Sequence, residues 1–329
     1  MEHLLEVKNL ETTFTSDFGA SAAVDRISYY VNPGETVCLV GESGCGKSVS
    51  SLSLLRLLAR NGAVTGGEVL FEGVDLLTLS DKALDKIRGS CLSMIFQDAL
   101  SSLNPVFTIG NQIVESIRAH TDLTRKEAEA RAADLLEKVG VADPVATLKK
   151  YPHTLSGGQR QRVMIALALA CSPKLLIADE PTTALDVTIQ AQIMQLLKEL
   201  QAENGMSIQL ITHDIGLVAQ MADRVLVMYA GQIVEQGEVR DVFKAPAHPY
   251  TRALLASVPD LPDNGGRRLV SIQGSVPEHY QFITGCRFAS RCPHAAEFCA
   301  QPQGMVPLGN GHAARCYLAM PNAKAEGEV

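Results

Sequence analysis

Residues 41–48 read Gly41-Glu42-Ser43-Gly44-Cys45-Gly46-Lys47-Ser48. The spacing is G-x-x-x-x-G-K-[ST]. Phosphate oxygens need several N–H donors aimed at one point. A glycine-rich turn lets consecutive amides face inward with no Cβ in the way. A following helix adds its free N-terminal amides and the positive end of its dipole. Lys47 then brings a point charge to the β- and γ-phosphates, and Ser48 offers a hydroxyl to Mg2+. The competing reading is a chance glycine-rich turn. The apolar run ETVCLV (35–40) before it and the helical spacing of VSSLSLLRLLAR (49–60) after it weigh against that.

Two more stretches could serve the same chemistry. In LLIADE (175–180), Asp179 closes an apolar run and can hold Mg2+ through water. Glu180 leaves the strand end in another direction, where a carboxylate could polarise an attacking water. A strand-end acidic pair capping a helix is the bland alternative. In Leu155-Ser156-Gly157-Gly158-Gln159, Ser156 is a good helix N-cap and the two glycines leave the first amides open. That is a second anion-binding helix start. One nucleotide has no obvious use for both, so the simplest arrangement is a head-to-tail dimer in which this end covers phosphates held by another subunit.

Cysteines form the remaining constellation. Cys286, Cys292, Cys299 and Cys316 lie within 31 residues, spaced C-x5-C-x6-C-x16-C. In a reducing cytosol such a group reads as metal before disulfide. It lacks the tight C-x2-C knuckle of structural zinc sites. Four thiolates can carry a [4Fe–4S] cluster, with zinc or no metal as alternatives. Cys38, Cys45, Cys91 and Cys171 read as small buried hydrophobes, and His294 as a surface histidine. Cys45 sits at a variable position of the glycine loop and reads as tolerated rather than catalytic, with a liability to thiol modification near bound nucleotide.

The elements that must position these groups follow from pattern. Residues 3–9 and 26–40 read as strands broken by the Pro33-Gly34 turn, with further strands at 68–73 and 92–96. From about 98 to 170 the pattern is mostly helical, including an amphipathic helix over 124–140. The run at 175–179 is apolar up to its closing Asp179, as in a strand buried on both faces, 207–212 and 224–229 look similar, and 187–205 is a long helix stopped by Gly205. Strands alternating with helices predict a parallel α/β sheet. Nine of the 15 prolines lie from Pro246 onward, which places a boundary near 237–258. A loop-rich segment follows over about 259–329, with a disordered NAKAEGEV end.

With 329 residues and 46% hydrophobic content the chain can build a core without disulfides. A net charge of −7 argues against a broad nucleic-acid surface. MEHLLEVKNL has no signal-peptide character, and the longest dense apolar run, VMIALALAC (163–171), is too short to span a bilayer. The expectation is a soluble cytosolic chain that serves any membrane process through a partner.

The ordered set resembles the ATP-binding subunits of ABC transporters. GESGCGKS is similar to their Walker A loop, Gln97 in IFQD to the Q-loop, and LSGGQ to the signature. LLIADE resembles Walker B with its glutamate, ALD (184–186) the D-loop, and ITHD the switch region. The resemblance implies an ABC-type P-loop NTPase of α/β class, with a RecA-like core, antiparallel β and helical subdomains, and a loop-rich, cysteine-containing C-terminal extension. It implies ATP and Mg2+ as ligands. Ser48, Gln97 and Asp179 would hold the metal, Glu180 would be the general base, and His213 would contact the γ-phosphate. Phe14 would stack on adenine, with Phe18 as rival, and Asp186 and Ser156–Gln159 would contact nucleotide. The implied domains are a cassette over 1–258, with a helical part over about 98–165, and an extension over 259–329.

HPYTRALLASVP (248–259), SSLNP (101–105) and the cysteine tail resemble the dipeptide/oligopeptide import branch, nearest its dipeptide permease D-type ATPase. That branch also imports nickel chelates and glutathione. An exporter ATPase or a soluble ABC protein acting on ribosomes or DNA fits less well. The branch implies a [4Fe–4S] cluster on the four cysteines and a heterodimer with a second ATPase. It further implies two transmembrane permease subunits, an extracytoplasmic peptide-binding protein met only indirectly, no nucleic acid, and a place at the cytoplasmic face of the membrane. Ala99 stands where relatives carry proline.

Overall fold

The structure is a computed structural model that describes residues 3–17, 19–98, 102–182, 185–257, 272–277 and 279–320. Phe18, Ala99, Ser101, Ala184 and the NAKAEGEV end lie outside the described residues. The chain divides into two compact units.

One unit comprises residues 5–30, 36–77 and 211–329. It opens with β1 (Leu5–Ser16) and β2 (Gly19–Val31), continues through β3 (Thr36–Val40) and α1 (Lys47–Leu54), and returns in β4 (Gly62–Phe71) and β5 (Val74–Asp75). β1 pairs antiparallel with β4, Leu5 opposite Phe71 and Phe14 opposite Gly62, and the order of this sheet is β2-β1-β4-β5. β3 is buried at all five positions and pairs in parallel with β9 (Arg224–Tyr229). β10 (Gln232–Glu238) pairs antiparallel with β9. The C-terminal segment then adds β11 (Val306–Gly309) and β12 (His312–Ala314), and β12 pairs with β10, Glu235 opposite Ala314. The segment expected to be loop-rich therefore supplies two strands. They escaped notice because four- and three-residue strands carry too little alternation to register.

The helix expected over 49–60 is α1 over 47–54, starting earlier and stopping earlier. Leucines continue the helical spacing beyond it, but Arg56 takes a left-handed φ of 51° and turns the chain out. At the far end α2 (Ile215–Met221) and α3 (Pro249–Ala256) pack in this unit. Tyr229, Tyr250 and Phe288 form an aromatic cluster with ring centroids 4.7 to 5.4 Å apart.

The other unit holds residues 78–210 with 1–4 and 31–35. β6 (Leu92–Ile95) pairs in parallel with β7 (Leu175–Asp179), which is buried at every position. Its helices include α4 (Ile109–His120), α5 (Arg125–Lys138), α6 (Gly157–Ala168) and α7 (Val187–Asn204). The predicted helix stop at Gly205 holds, with φ of 65° in the left-handed region. Among the described residues no helix is long and apolar enough to cross a membrane.

Candidate nucleotide site

In the phosphate loop the glycines are sterically required. Gly46 has φ of 101°, and a Cβ there would meet the Ala23 carbonyl oxygen at 2.4 Å. Gly41 has φ of 153°, and its Cβ would fall 2.1 Å from the Met228 carbonyl oxygen. No L side chain fits either place. Gly46 is also the cap position of α1 and offers no side-chain acceptor, so the first amides of the helix are left to a ligand. Lys47 is 5% exposed, and its Nζ donates to the carbonyls of Gly41 at 2.8 Å and Glu42 at 3.0 Å. The loop is thus closed around its own cation, in the place where phosphate oxygens accept in nucleotide-loaded loops of this type. Ser43 and Gly44 are exposed at the tip, and Ser48 is half-buried on the first turn of α1.

Glu42 is anchored from three sides, which the sequence reading missed. Its N–H donates to the hydroxyl of Tyr250 at 2.8 Å. Its carboxylate takes two hydrogen bonds from Arg291, 2.6 Å from Nη1 and 2.9 Å from Nη2. Arg291 also donates to the Tyr229 hydroxyl at 3.2 Å and to the carbonyls of Gln273 and Gly274. Such bidentate forks fix direction as well as charge. Tyr250 lies in the HPYTRALLASVP stretch and Arg291 directly precedes Cys292, but no spacing in the sequence ties either to the loop.

Cys45 is fully buried, and burial raises the pKa of its thiol against the lowering effect of nearby Lys47. A protonated, inaccessible thiol is a poor nucleophile, which agrees with the buried-hydrophobe reading and weighs against the liability to thiol modification.

In the other unit, Asp179 ends β7 with 3% exposure. Glu180 follows with φ of 46°, a left-handed turn that a non-glycine residue rarely adopts. This turn carries its carboxylate out of the strand direction, and Gln97 Nε2 donates to Glu180 Oε2 at 2.9 Å. Ser156 caps α6 in a full capping box. Its Oγ accepts from the Gln159 N–H at 3.3 Å, and Gln159 Oε1 accepts from the Ser156 N–H at 3.1 Å. Gly157 and Gly158 differ from the loop glycines. Neither has positive φ, and added Cβ atoms would stand 4.0 Å from Leu185 and 3.4 Å from Ile189. Among the described residues nothing forbids a side chain there. Asp186 caps α7, its Oδ1 accepting from the Ile189 N–H at 2.9 Å.

Phe14 lies half-buried across from Gly62, where an added Cβ would meet its ring at 2.7 Å. His213 is exposed after β8 (Ser207–Thr212), and Asp214 caps α2 by accepting from Gly216 and Leu217.

The four tail cysteines come close enough to act on one another. Burial pushes the Cys316 thiol up to about 11, with smaller contributions from Cys286, Cys292 and Cys299. Burial also raises the thiols of Cys286 and Cys292. The Cys286 N–H donates to the Cys299 carbonyl at 2.8 Å. Among the described residues no three His, Cys, Asp or Glu side chains are arranged to hold a metal ion. A single tetrahedral ion, which draws its ligands to about 2.3 Å from one centre, is therefore not prefigured.

The family model described as ABC transporter matches residues 24–183, and that described as oligopeptide/dipeptide transporter, C-terminal region, matches 234–299. The dipeptide transport ATP-binding protein DppD of Haemophilus influenzae is 52% identical over 317 residues, covering 96% of this chain and 96% of its own. The protein of the same name from Bacillus subtilis is 49% identical over 320 residues, covering 97% and 95%. Among solved structures, a dimeric ATP-binding cassette in a post-hydrolysis state with ADP and phosphate is 30% identical. It matches with a TM-score of 0.65 over 72% of this chain and 99% of its own. The phosphate loop, the turned glutamate and the capped signature helix thus belong to a chain that is a member of the ABC transporter ATP-binding family, in the branch with the oligopeptide/dipeptide C-terminal region.

Proposed function

We propose that this chain hydrolyses ATP to power uptake of dipeptides or oligopeptides through separate membrane subunits. Near-full-length similarity to dipeptide transport ATP-binding proteins supports the cargo class. The observation that carries the chemistry is the left-handed turn at Glu180, which sets its carboxylate against Gln97 at 2.9 Å. In this reading residues 41–48 hold the phosphates and Lys47 exchanges its loop carbonyls for phosphate oxygens. Ser48, Asp179 and Gln97 are the residues that would hold Mg2+, which when bound offsets charge building on the phosphate oxygens. Glu180 takes a proton from the attacking water. His213 contacts the γ-phosphate, Phe14 supplies the adenine platform, and Asp186 faces nucleotide across the dimer.

The unexplained smallness of Gly157 and Gly158 supports a site completed between two subunits. Room that the chain itself does not need is room for phosphates held by another cassette. A second, homologous ATPase is the proposed partner, with two permease subunits seating the pair at the cytoplasmic face of the membrane. An extracytoplasmic binding protein delivers cargo without touching this chain. The cassette ends near residue 258, and 259–329 form the extension. Its four mutually interacting cysteines are proposed to carry a [4Fe–4S] cluster, whose thiolates stand wider apart than those on a single ion. Purification without oxygen followed by iron and zinc analysis tests this. A colourless, zinc-loaded protein rules the cluster out.

The decisive experiment uses the complex assembled in liposomes. Glu180→Gln is expected to keep ATP bound and to abolish steady hydrolysis, with dipeptide uptake lost in parallel. If the complex still hydrolyses ATP steadily when both ATPase subunits carry the glutamine change, the assignment of Glu180 fails.

A further inference from the structure

Glu180 holds an uncommon backbone in an unfavourable place. Its φ of 46° is left-handed, and Pro181 follows it. A proline pushes the residue before it toward extended backbone, so the local sequence works against this turn. Such a conformation persists only where its surroundings over-determine it. Gln97 reaches the Glu180 carboxylate, but a contact at the end of the side chain does not fix the main chain. The turn has to be held by the residues on either side of it.

Asp179, on one side, is the buried last residue of β7. Pro181, on the other, is buried too, and its ring closes φ, leaving only ψ free. That dihedral aims the Pro181 carbonyl. The carbonyl accepts from Nε2 of Gln161, and among the described residues this oxygen has no other partner. A carbonyl only accepts, so the amide has to present its NH2 group, and a buried carbonyl left bare is rare. Gln161 is 4% exposed and stands on the second turn of α6, directly after the capped start at Ser156–Gln159. The next residue ties the helix down. Arg162 donates from Nη1 to the Val139 carbonyl at 2.5 Å and from Nη2 to Gln192 Oε1 on α7 at 3.0 Å. With φ closed by the ring and ψ pinned by Gln161, Pro181 has no freedom left, and Glu180 has to make the turn. All of these residues lie in one compact unit.

We propose that Gln161 is a positioning residue for ATP hydrolysis: by pinning the Pro181 carbonyl it sets where the Glu180 carboxylate stands. Gln97 fixes the tip of that side chain and Gln161 fixes the backbone that carries it. The proposal rests on the reading of Glu180 as the general base. It deepens that reading by adding a path between two nucleotides. The first turn of α6 is read as covering ATP held by the partner ATPase, and the second turn holds the carboxylate that activates water at this chain's own ATP. A shift of the helix on one nucleotide reaches the chemistry of the other through a single hydrogen bond.

The test assays ATP hydrolysis by the assembled complex carrying Gln161→Met, which keeps the length of the side chain and loses the donor. kcat is expected to fall about tenfold or more while the KM for ATP stays within about twofold. Melting and ATP binding of the isolated chain serve as the folding control. Gln161→Glu is the second variant. Ionised, its carboxylate repels the carbonyl; protonated, it donates through its O–H. Burial raises the pKa of such a carboxyl group, so kcat of Gln161→Glu relative to wild type should rise several-fold as pH falls from about 8.5 to about 6. Gln161→Met should show no such rise. The proposal is overturned by a Gln161→Met kcat within about twofold of wild type, by a loss carried in KM alone, or by a Gln161→Glu ratio that is flat across pH. If Gln161→Met does not fold, the pH ratio of Gln161→Glu decides by itself. Glu180→Gln, assayed in parallel, keeps the two readings apart. Steady hydrolysis by that variant strikes the base assignment. An inert Glu180→Gln beside an unimpaired Gln161→Met strikes this proposal and leaves the base assignment standing.

Discussion

Tyr250 and Arg291 act on the same loop residue, the first through the Glu42 amide and the second through its carboxylate. Replacing Tyr250 by Phe keeps the ring in its aromatic cluster and removes only the acceptor. A part-buried N–H left unpaired costs about 1–3 kcal/mol, so Tyr250→Phe should lower thermal stability and raise the KM for ATP more than it lowers kcat. Arg291→Ala should do the same. Arg291→Lys should recover little, because an ammonium cannot reproduce the two-pronged contact. An ATP titration of steady-state hydrolysis separates the two constants. None of this was legible from spacing. The loop itself could be read residue by residue because its chemistry is local. Its anchors lie more than 200 positions away, and no periodicity links them to it. Cys45 shows the converse: its motif position was plain, while its inertness depends on burial that only the packed structure reveals.

At the scale of elements, the helix starts at α1 and α6 differ in why they contain glycine. In α1, Gly46 is demanded by φ and by the Ala23 carbonyl. In α6 the capping box already satisfies the helix start, and among the described residues no contact demands the glycines. Gly157→Ala should therefore leave the isolated chain as stable as before, or more stable by up to about 1 kcal/mol from helix propensity. It should still cut ATP hydrolysis by the assembled pair. A melting curve of the chain and an ATPase assay of the complex give the two readings, and equal losses in both would refute the argument. The long helices and the largely apolar strands were legible because burial on both faces or on one stripe writes itself into composition. Boundaries were less so. The end of α1 is set by a single left-handed residue, Arg56, inside an unbroken leucine pattern.

At the scale of the whole molecule, the extension is tied to the body through buried polar groups. Glu235 is fully buried on β10, accepting from the N–H groups of Ala247 and His248 at 2.7 and 2.9 Å and standing 2.8 Å from His312 Nε2. His248 caps α3, its Nδ1 accepting from the Tyr250 N–H at 3.0 Å. Burial, reinforced by the charge of Arg252, holds His248 down at about 3. Unfolded, it titrates near 6.5. Below that pH the unfolded chain takes a proton that the folded chain refuses. Stability from this group is thus full above about 6.5 and falls by up to roughly 1.4 kcal/mol per pH unit between there and about 3. Chemical denaturation at pH 7.5 and pH 5.5 should show the loss, and a His248→Asn variant should show less of it. Composition marked a change near Pro246, yet contacts group the C-terminal segment with the first strands. Strand pairing across the chain has no compositional signature.

The pairing of β3 with β9 also sets when the protein becomes able to bind nucleotide. β3 ends at Val40 and its neighbour begins at Arg224. At about 5–20 residues per second, a ribosome takes roughly 10–40 s to synthesise the stretch between them. Throughout that interval a strand apolar at four of its five positions waits without β9, and the phosphate loop lacks the Met228 backbone on which Gly41 rests. ATP cannot template the early fold of the nascent chain. Protection during synthesis has to come from outside it.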